Sequence, residues 1–146
     1  MKSALRWSCL VSLTVLLFYW KIVFTTQFSL LEYRDVATQY AWIHYAAASL
    51  KEGAIPLWDP YVQSGRPFVG ESPTGLFYPL KALFYLAPFT DRGVLSPELY
   101  HAYHVLAHIL AGWFMLLLAR ELGLAWFAAY TSAICFALGG VVGKVA

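Results

Sequence analysis

Gly53–Leu80, GAIPLWDPYVQSGRPFVGESPTGLFYPL, separates two strongly apolar parts of the chain, and its reading decides the rest. Pro56, Pro60, Pro67, Pro73 and Pro79, with Gly53, Gly65, Gly70 and Gly75, punctuate it too often for a helix or a regular strand. Trp58, Tyr61, Phe68, Phe77 and Tyr78 are too apolar for a solvated linker. A long irregular connection of this aromatic content has to pack on something, which argues against disorder and for a functional loop. We read it as the outward face of a membrane protein.

Composition supports that reading. The 146 residues are 60% hydrophobic, 18% aromatic and 12% charged, against about 25% charged in soluble domains. A net charge of +2 with scattered basic residues carries no patch for a nucleic acid. Cys9 and Cys135 lie in apolar runs, where a thiol behaves as a small hydrophobe, so neither a disulfide nor a zinc site is expected.

Upstream of the loop, Lys2 and Arg6 precede an apolar run interrupted by Lys21. Trp20–Phe24 lacks the small residues of a signal-peptide cleavage site, which favours an uncleaved anchor. A transmembrane helix is expected over residues 5–26, with Lys21 reaching the far headgroups and the N-terminus cytoplasmic. Glu32, Tyr33, Arg34 and Asp35 follow where the chain leaves the bilayer. Val36, Tyr40, Ile43, Ala47 and Leu50 recur at helical spacing, so residues 36–52 form an amphipathic helix that Asp35 caps and Gly53 ends. Such a helix lies on the membrane surface or on a neighbouring helix.

Downstream, residues 79–87 form an apolar helix too short to span, interfacial or re-entrant, with Pro79 in its first turn and Pro88 beyond it. Ser96-Pro97-Glu98 starts the second transmembrane helix, expected over 97–122, with Arg120 in its last turn and Gly123 past its end. A third membrane helix covers 125–143, where Ala125, Ala129, Ala133, Ala137, Gly139 and Gly143 suggest close packing. The fold expected is therefore an all-α polytopic helical membrane protein, one membrane domain over 1–146, whose outer loop spans 27–96 and carries interfacial helices.

Three groups of residues have chemical potential. Glu32 and Asp35 stand three apart, able to supply a general base or hold a divalent cation; equally, Asp35 is a helix cap and Glu32 an interfacial anchor paired with Arg34. His101, His104 and His108 share a helix face, but no acidic third ligand follows in register. Hydrogen bonding between helices is the plainer role, and no metal site is assigned. In the loop, Asp59, Arg66 and Glu71 sit among aromatics that stack on sugars or line lipid chains, although Asp59-Pro60 and Gly65-Arg66 are ordinary turn chemistry.

The order of anchor helix, acidic exit, short helix ending in Gly, then PLWDPY, SGRPF and GLFYPL resembles the N-terminal part of YfhO-like bacterial membrane proteins, polytopic relatives of GT-C glycosyltransferases. The resemblance implies transfer of a sugar from a polyprenyl-phosphate donor on the outer face of the cytoplasmic membrane. It implies Asp35, with Glu32 second, as the catalytic carboxylate. Arg34, Gln39, Trp58, Asp59, Arg66, Glu71 and Tyr78 are then substrate-binding, Arg34 or Arg66 facing the departing phosphate. Such proteins are several times longer, so this reading makes the chain an N-terminal fragment that is inactive alone and completed by further membrane helices. The alternative is a small non-catalytic membrane subunit holding a partner membrane protein through the faces of His104 and Gly139. A transporter piece is weaker, since no broken membrane helix with paired charges is visible.

Overall fold

The computed structural model describes residues 2–25, 29–32, 34–62, 64–71 and 74–139. The elements in chain order are α1 (Lys2–Phe18), α2 (Trp20–Phe24), a 3-10 turn (Leu30–Glu32), α3 (Arg34–Lys51), β1 (Trp58–Asp59), β2 (Arg66–Pro67), a second 3-10 turn (Pro79–Lys81), α4 (Ala82–Leu86), α5 (Pro97–Glu121) and α6 (Trp126–Leu138). The protein is mostly helical, as expected, and one helix, α5, is long and apolar enough to cross a membrane. The chain, read above as one domain over 1–146, divides into two compact units, Met1–Leu30 with His101–Ala146, and Leu31–Tyr100.

In the first unit the apolar start of the chain is not one continuous helix to residue 26. It breaks at Tyr19, whose φ of −92° and ψ of 18° leave the helical basin, and resumes as the single turn of α2. Residue 26 itself lies outside the described residues, as do 140–146 with Gly143 and the end of the expected third span. Alanines decide the packing here. Ala129, Ala133 and Ala137, four apart, form one fully buried stripe of α6. Ala129 and Ala133 join Val11, Leu116 and Ala119 in a shared core. Small residues at that spacing let helix backbones approach closely. Gly112 does the same on α5, where an added Cβ would come within 2.7 Å of Val11 Cγ1. Gly139 falls just past the end of α6, marking a helix end rather than a packing face.

His101 and His108 serve this unit's hydrogen bonding with their rings, and His104 contributes its backbone carbonyl. His108 is buried; its Nδ1 donates to the His104 carbonyl at 2.7 Å, which leaves Nε2 to accept from the Tyr19 hydroxyl at 2.8 Å. His101 Nε2 accepts from the backbone N–H of Leu30 at 3.3 Å.

In the second unit, α3 begins at Arg34, so Asp35 stands inside its first turn against the positive end of the dipole rather than at the cap position expected for it. Its end is as the sequence predicts. Gly53, at φ +78°, accompanies bonds from Gly53 N to Leu50 O and from Ala54 N to Ser49 O, the paired closure of a Schellman motif. Gly123, at φ +84°, closes α5 with the equivalent pair, Gly123 N to Arg120 O and Leu124 N to Ala119 O. At the start of α5, Ser96 Oγ accepts from Leu99 N at 3.2 Å and donates to Glu98 Oε2 at 2.6 Å.

The central loop departs from the all-α expectation. It carries a two-stranded antiparallel sheet, with Trp58 opposite Pro67 and Asp59 opposite Arg66. The prolines keep each strand to two residues, because Pro67 has no N–H for the ladder and Pro60 ends the first strand. Asp59 Oδ1 accepts from Tyr61 N at 2.9 Å, while Ser64 and Gly65 at φ +63° and +104° turn the chain back. Phe68, buried with Ala46 and Leu76 and flanked by Trp42, Tyr45, Val69 and Tyr85, then anchors the loop on α3. The apolar face of α3, expected to rest on the membrane surface or another helix, is thus covered by its own loop and by α4. Residues 79–86 are helical, as a 3-10 turn running into α4, so the short helix predicted over 79–87 is present.

Candidate functional site

Spacings of three and four along α3 put Arg34, Thr38, Ala41 and Tyr45 on one face, beside the stripe of Val36, Ile43 and Ala47 that enters the core. That face borders a cavity of about 720 Å³. Ala37, Ala41 and Ala48 leave the space by having almost no side chain; Trp42, His44 and Tyr45 furnish rings; Asp59, Tyr61 and Val62 form the opposite wall. The turn after β1 positions that wall, since the Asp59–Tyr61 bond fixes both residues. Tyr45 ties it to α3 by donating from its hydroxyl to the Trp58 carbonyl at 2.6 Å.

The two charged groups of the cavity differ. Asp59 is only 3% exposed, and its second carboxylate oxygen has no hydrogen bond among the described residues. Arg34 is exposed in the first turn of α3. Tyr45 and Tyr61 meet edge to face, ring centres 5.9 Å apart and planes at 82°. Trp42 already carries a cation, the Arg66 guanidinium, 5.0 Å from its ring centre.

Of the residues expected to bind or react, the cavity gathers Arg34 and Asp59. Asp35, Gln39 and Glu32 are exposed and outside its lining, the first two on α3 and Glu32 on the preceding 3-10 turn. Arg66 pairs with Glu71 at 2.8 Å and stacks on Trp42, so both have structural work outside the cavity lining. Its Nε is buried without a hydrogen-bond partner among the described residues. Trp58 lies over Gly65, where an added Cβ would stand 2.6 Å from its indole nitrogen. Tyr78 is exposed, and its backbone N–H donates to the Gly75 carbonyl at 3.0 Å.

Comparison with family models, with curated proteins and with solved structures gives no match.

Thr38, Trp42, His44 and Tyr45 line the cavity and carry no signal picked out from the sequence, whereas Tyr61, also in the lining, is one of the loop aromatics noted there. Stepping along α3 from Arg34 in threes and fours reaches Thr38 and Tyr45, so that part of the signal is present in the primary structure. Among the described residues no group of three or more His, Cys, Asp or Glu side chains is placed to hold a metal.

Two groups outside the cavity are perturbed. Burial, and behind it the charge of Glu98, pushes the Tyr40 hydroxyl above the ordinary tyrosine range. Burial lowers the Lys81 ammonium below the usual lysine range, and its Nζ donates to the Thr74 carbonyl at 2.5 Å.

Proposed function

We propose that this chain is the N-terminal part of a multi-pass inner-membrane protein of the YfhO-like, GT-C-like kind, transferring a sugar from a polyprenyl-phosphate donor at the outer membrane face. The observation that carries the reading is the α3 cavity, which joins an arginine, aromatic rings and a buried carboxylate directly after the first apolar helices. Arginine presents a planar fork suited to phosphate, and aromatic faces suit sugar rings or isoprenoid chains. A phosphate ester leaves readily, so the enzyme's work is chiefly positioning and charge stabilisation. In this mechanism the acceptor hydroxyl, approaching from outside the cavity lining, gives its proton to Asp35, exposed beside Arg34 in the first turn of α3, as its oxygen attacks the anomeric carbon. The bond to the phosphate oxygen breaks, and the lipid phosphate leaves with the electron pair opposite Arg34.

Membrane residence is supported by the surface of the first unit. The most apolar window of α5 has a mean hydropathy of 1.7, and only 28% of it is buried, whereas the core helix of a soluble protein is mostly buried. Leu5, Phe114 and Phe127 face outward. Trp7 stacks on Trp126 at 6.5 Å, with Arg120 over Trp126 at 4.2 Å. Together with the exposed Arg6, this gathers aromatic and basic side chains at one end, the composition of a cytoplasmic interface. From His101 to Arg120 the helix rises about 29 Å, close to the thickness of a hydrocarbon core. The alternative, a subunit holding a partner through the faces of His104 and Gly139, draws less support, because Gly139 lies past the end of α6.

The test is Asp35→Asn in the intact protein, read as transfer of labelled sugar from polyprenyl phosphate in membranes. Transfer is expected to vanish while membrane abundance holds, and undiminished transfer overturns the assignment.

A further inference from the structure

We propose that the Asp59 end of the α3 cavity binds an organic ammonium group, with Asp59 as counter-charge and Tyr45, Tyr61 and Trp42 as its aromatic walls. The inference rests on the cavity as a ligand site and is independent of transfer chemistry.

Three observations converge. First, Asp59 is a nearly fully buried carboxylate with no ion pair among the described residues, and one of its oxygens lacks a hydrogen bond. A buried carboxylate is costly without a compensating charge, and the backbone N–H of Tyr61 supplies only a dipole. Secondly, the edge-to-face pair of Tyr45 and Tyr61 makes a corner beside that carboxylate, and Tyr61 is 83% exposed, so its ring stands open at the cavity mouth. Ring faces attract cations, most strongly where water is thin. Thirdly, Trp42 already holds the Arg66 guanidinium at 5.0 Å, an internal instance of the contact proposed for the ligand.

The opposite charge lies at the far end. Arg34 precedes Tyr45 by eleven positions on α3, roughly 16 Å of helix rise. A ligand bearing both an ammonium and an anionic group is therefore complementary to the length of the cavity. Amino sugars and the ethanolamine or choline headgroups of phospholipids both supply the ammonium.

The experiment uses the full chain in a detergent free of amines and sugars. Titration calorimetry compares ethanolamine, choline and glucosamine with ethylene glycol and glucose at equal ionic strength. Saturable binding of at least one amine, about ten-fold or more tighter than its uncharged counterpart, is expected. Asp59→Asn keeps the oxygen that accepts from Tyr61 N and so preserves the turn; it is expected to lower amine affinity about ten-fold. Tyr61→Ala removes an exposed ring and is expected to cost roughly three-fold or more. Preference for glucosamine identifies an amino sugar; preference for ethanolamine or choline, reproduced by competition from phosphatidylethanolamine or phosphatidylcholine vesicles, identifies a lipid headgroup. Equal binding of charged and uncharged probes, no binding, or affinity untouched by Asp59→Asn overturns the proposal. Because no transfer is measured, a failed glycosyltransferase assay leaves this result readable by itself.

Discussion

Gly65 illustrates how one residue shapes the wall of the cavity. Its φ of +104° lies where side chains are rarely tolerated, and the Trp58 indole occupies the place a Cβ would take. Gly65→Ala therefore meets both backbone strain and a clash, and is expected to destabilise the loop by about 1–3 kcal/mol. Limited proteolysis at residues 60–70 should accelerate, while the helices keep their far-ultraviolet circular dichroism. Unchanged cleavage would mean that the indole moves aside without consequence. The same loop marks where residue-level reading runs out. Asp59-Pro60 is legible as turn chemistry, but that the turn buries the Asp59 carboxylate against α3 depends on Phe68 reaching the core between Ala46 and Leu76. Nothing local to Asp59 encodes that contact.

At the level of elements, the ends of α3 and α5 were legible because capping is local. Gly53, Gly123 and Ser96 stand beside the helices they finish or start, and their hydrogen bonds are those their residue types prescribe. The break at Tyr19 was not legible: the surrounding sequence is uniformly apolar, and the residue meeting its hydroxyl, His108, lies 89 positions away. The short sheet was missed for a related reason, since proline density argues against long strands but says little about two-residue ones. Packing between α1 and α5 is testable through Gly112. Gly112→Ala brings a methyl group within 2.7 Å of Val11 Cγ1, and is expected to lower stability by about 1–3 kcal/mol. Val11→Ala removes the opposing atoms, so the double substitution should recover part of the loss, a coupling that independent sites do not show. Thermal unfolding in detergent measures all three variants, and strict additivity would refute the contact.

For the molecule as a whole, the two cysteines offer native reporters of the proposed membrane arrangement. Cys135 is exposed on α6, nine residues beyond Trp126, or about 14 Å deeper along the axis. In a Cys9→Ser background, a charged maleimide added to intact membranes is expected to leave Cys135 unlabelled until detergent is added. Thr90→Cys, on an exposed stretch of the second unit, should label at once. Prompt labelling of Cys135 without detergent would remove the first unit from the bilayer. The composition foretold apolar helices flanking a packed loop, and the two compact units follow that division. Which face of α3 would enclose a cavity required the tertiary arrangement, which brings Thr38, Tyr45 and Tyr61 into the lining and leaves Asp35 and Gln39 outside it.

The hydroxyls of α1 and α6 carry a consequence for biosynthesis. Ser12, Thr14, Thr131 and Ser132 each donate to the carbonyl four residues earlier in the same helix. These four groups are satisfied before any neighbouring helix exists, so none of the four enters an apolar phase unmet, whereas the Tyr130 hydroxyl of α6 finds its partner, Thr14 Oγ1, only on α1. In the proposed membrane arrangement, insertion can then precede assembly, each helix entering alone and finding its partners afterwards within the lipid.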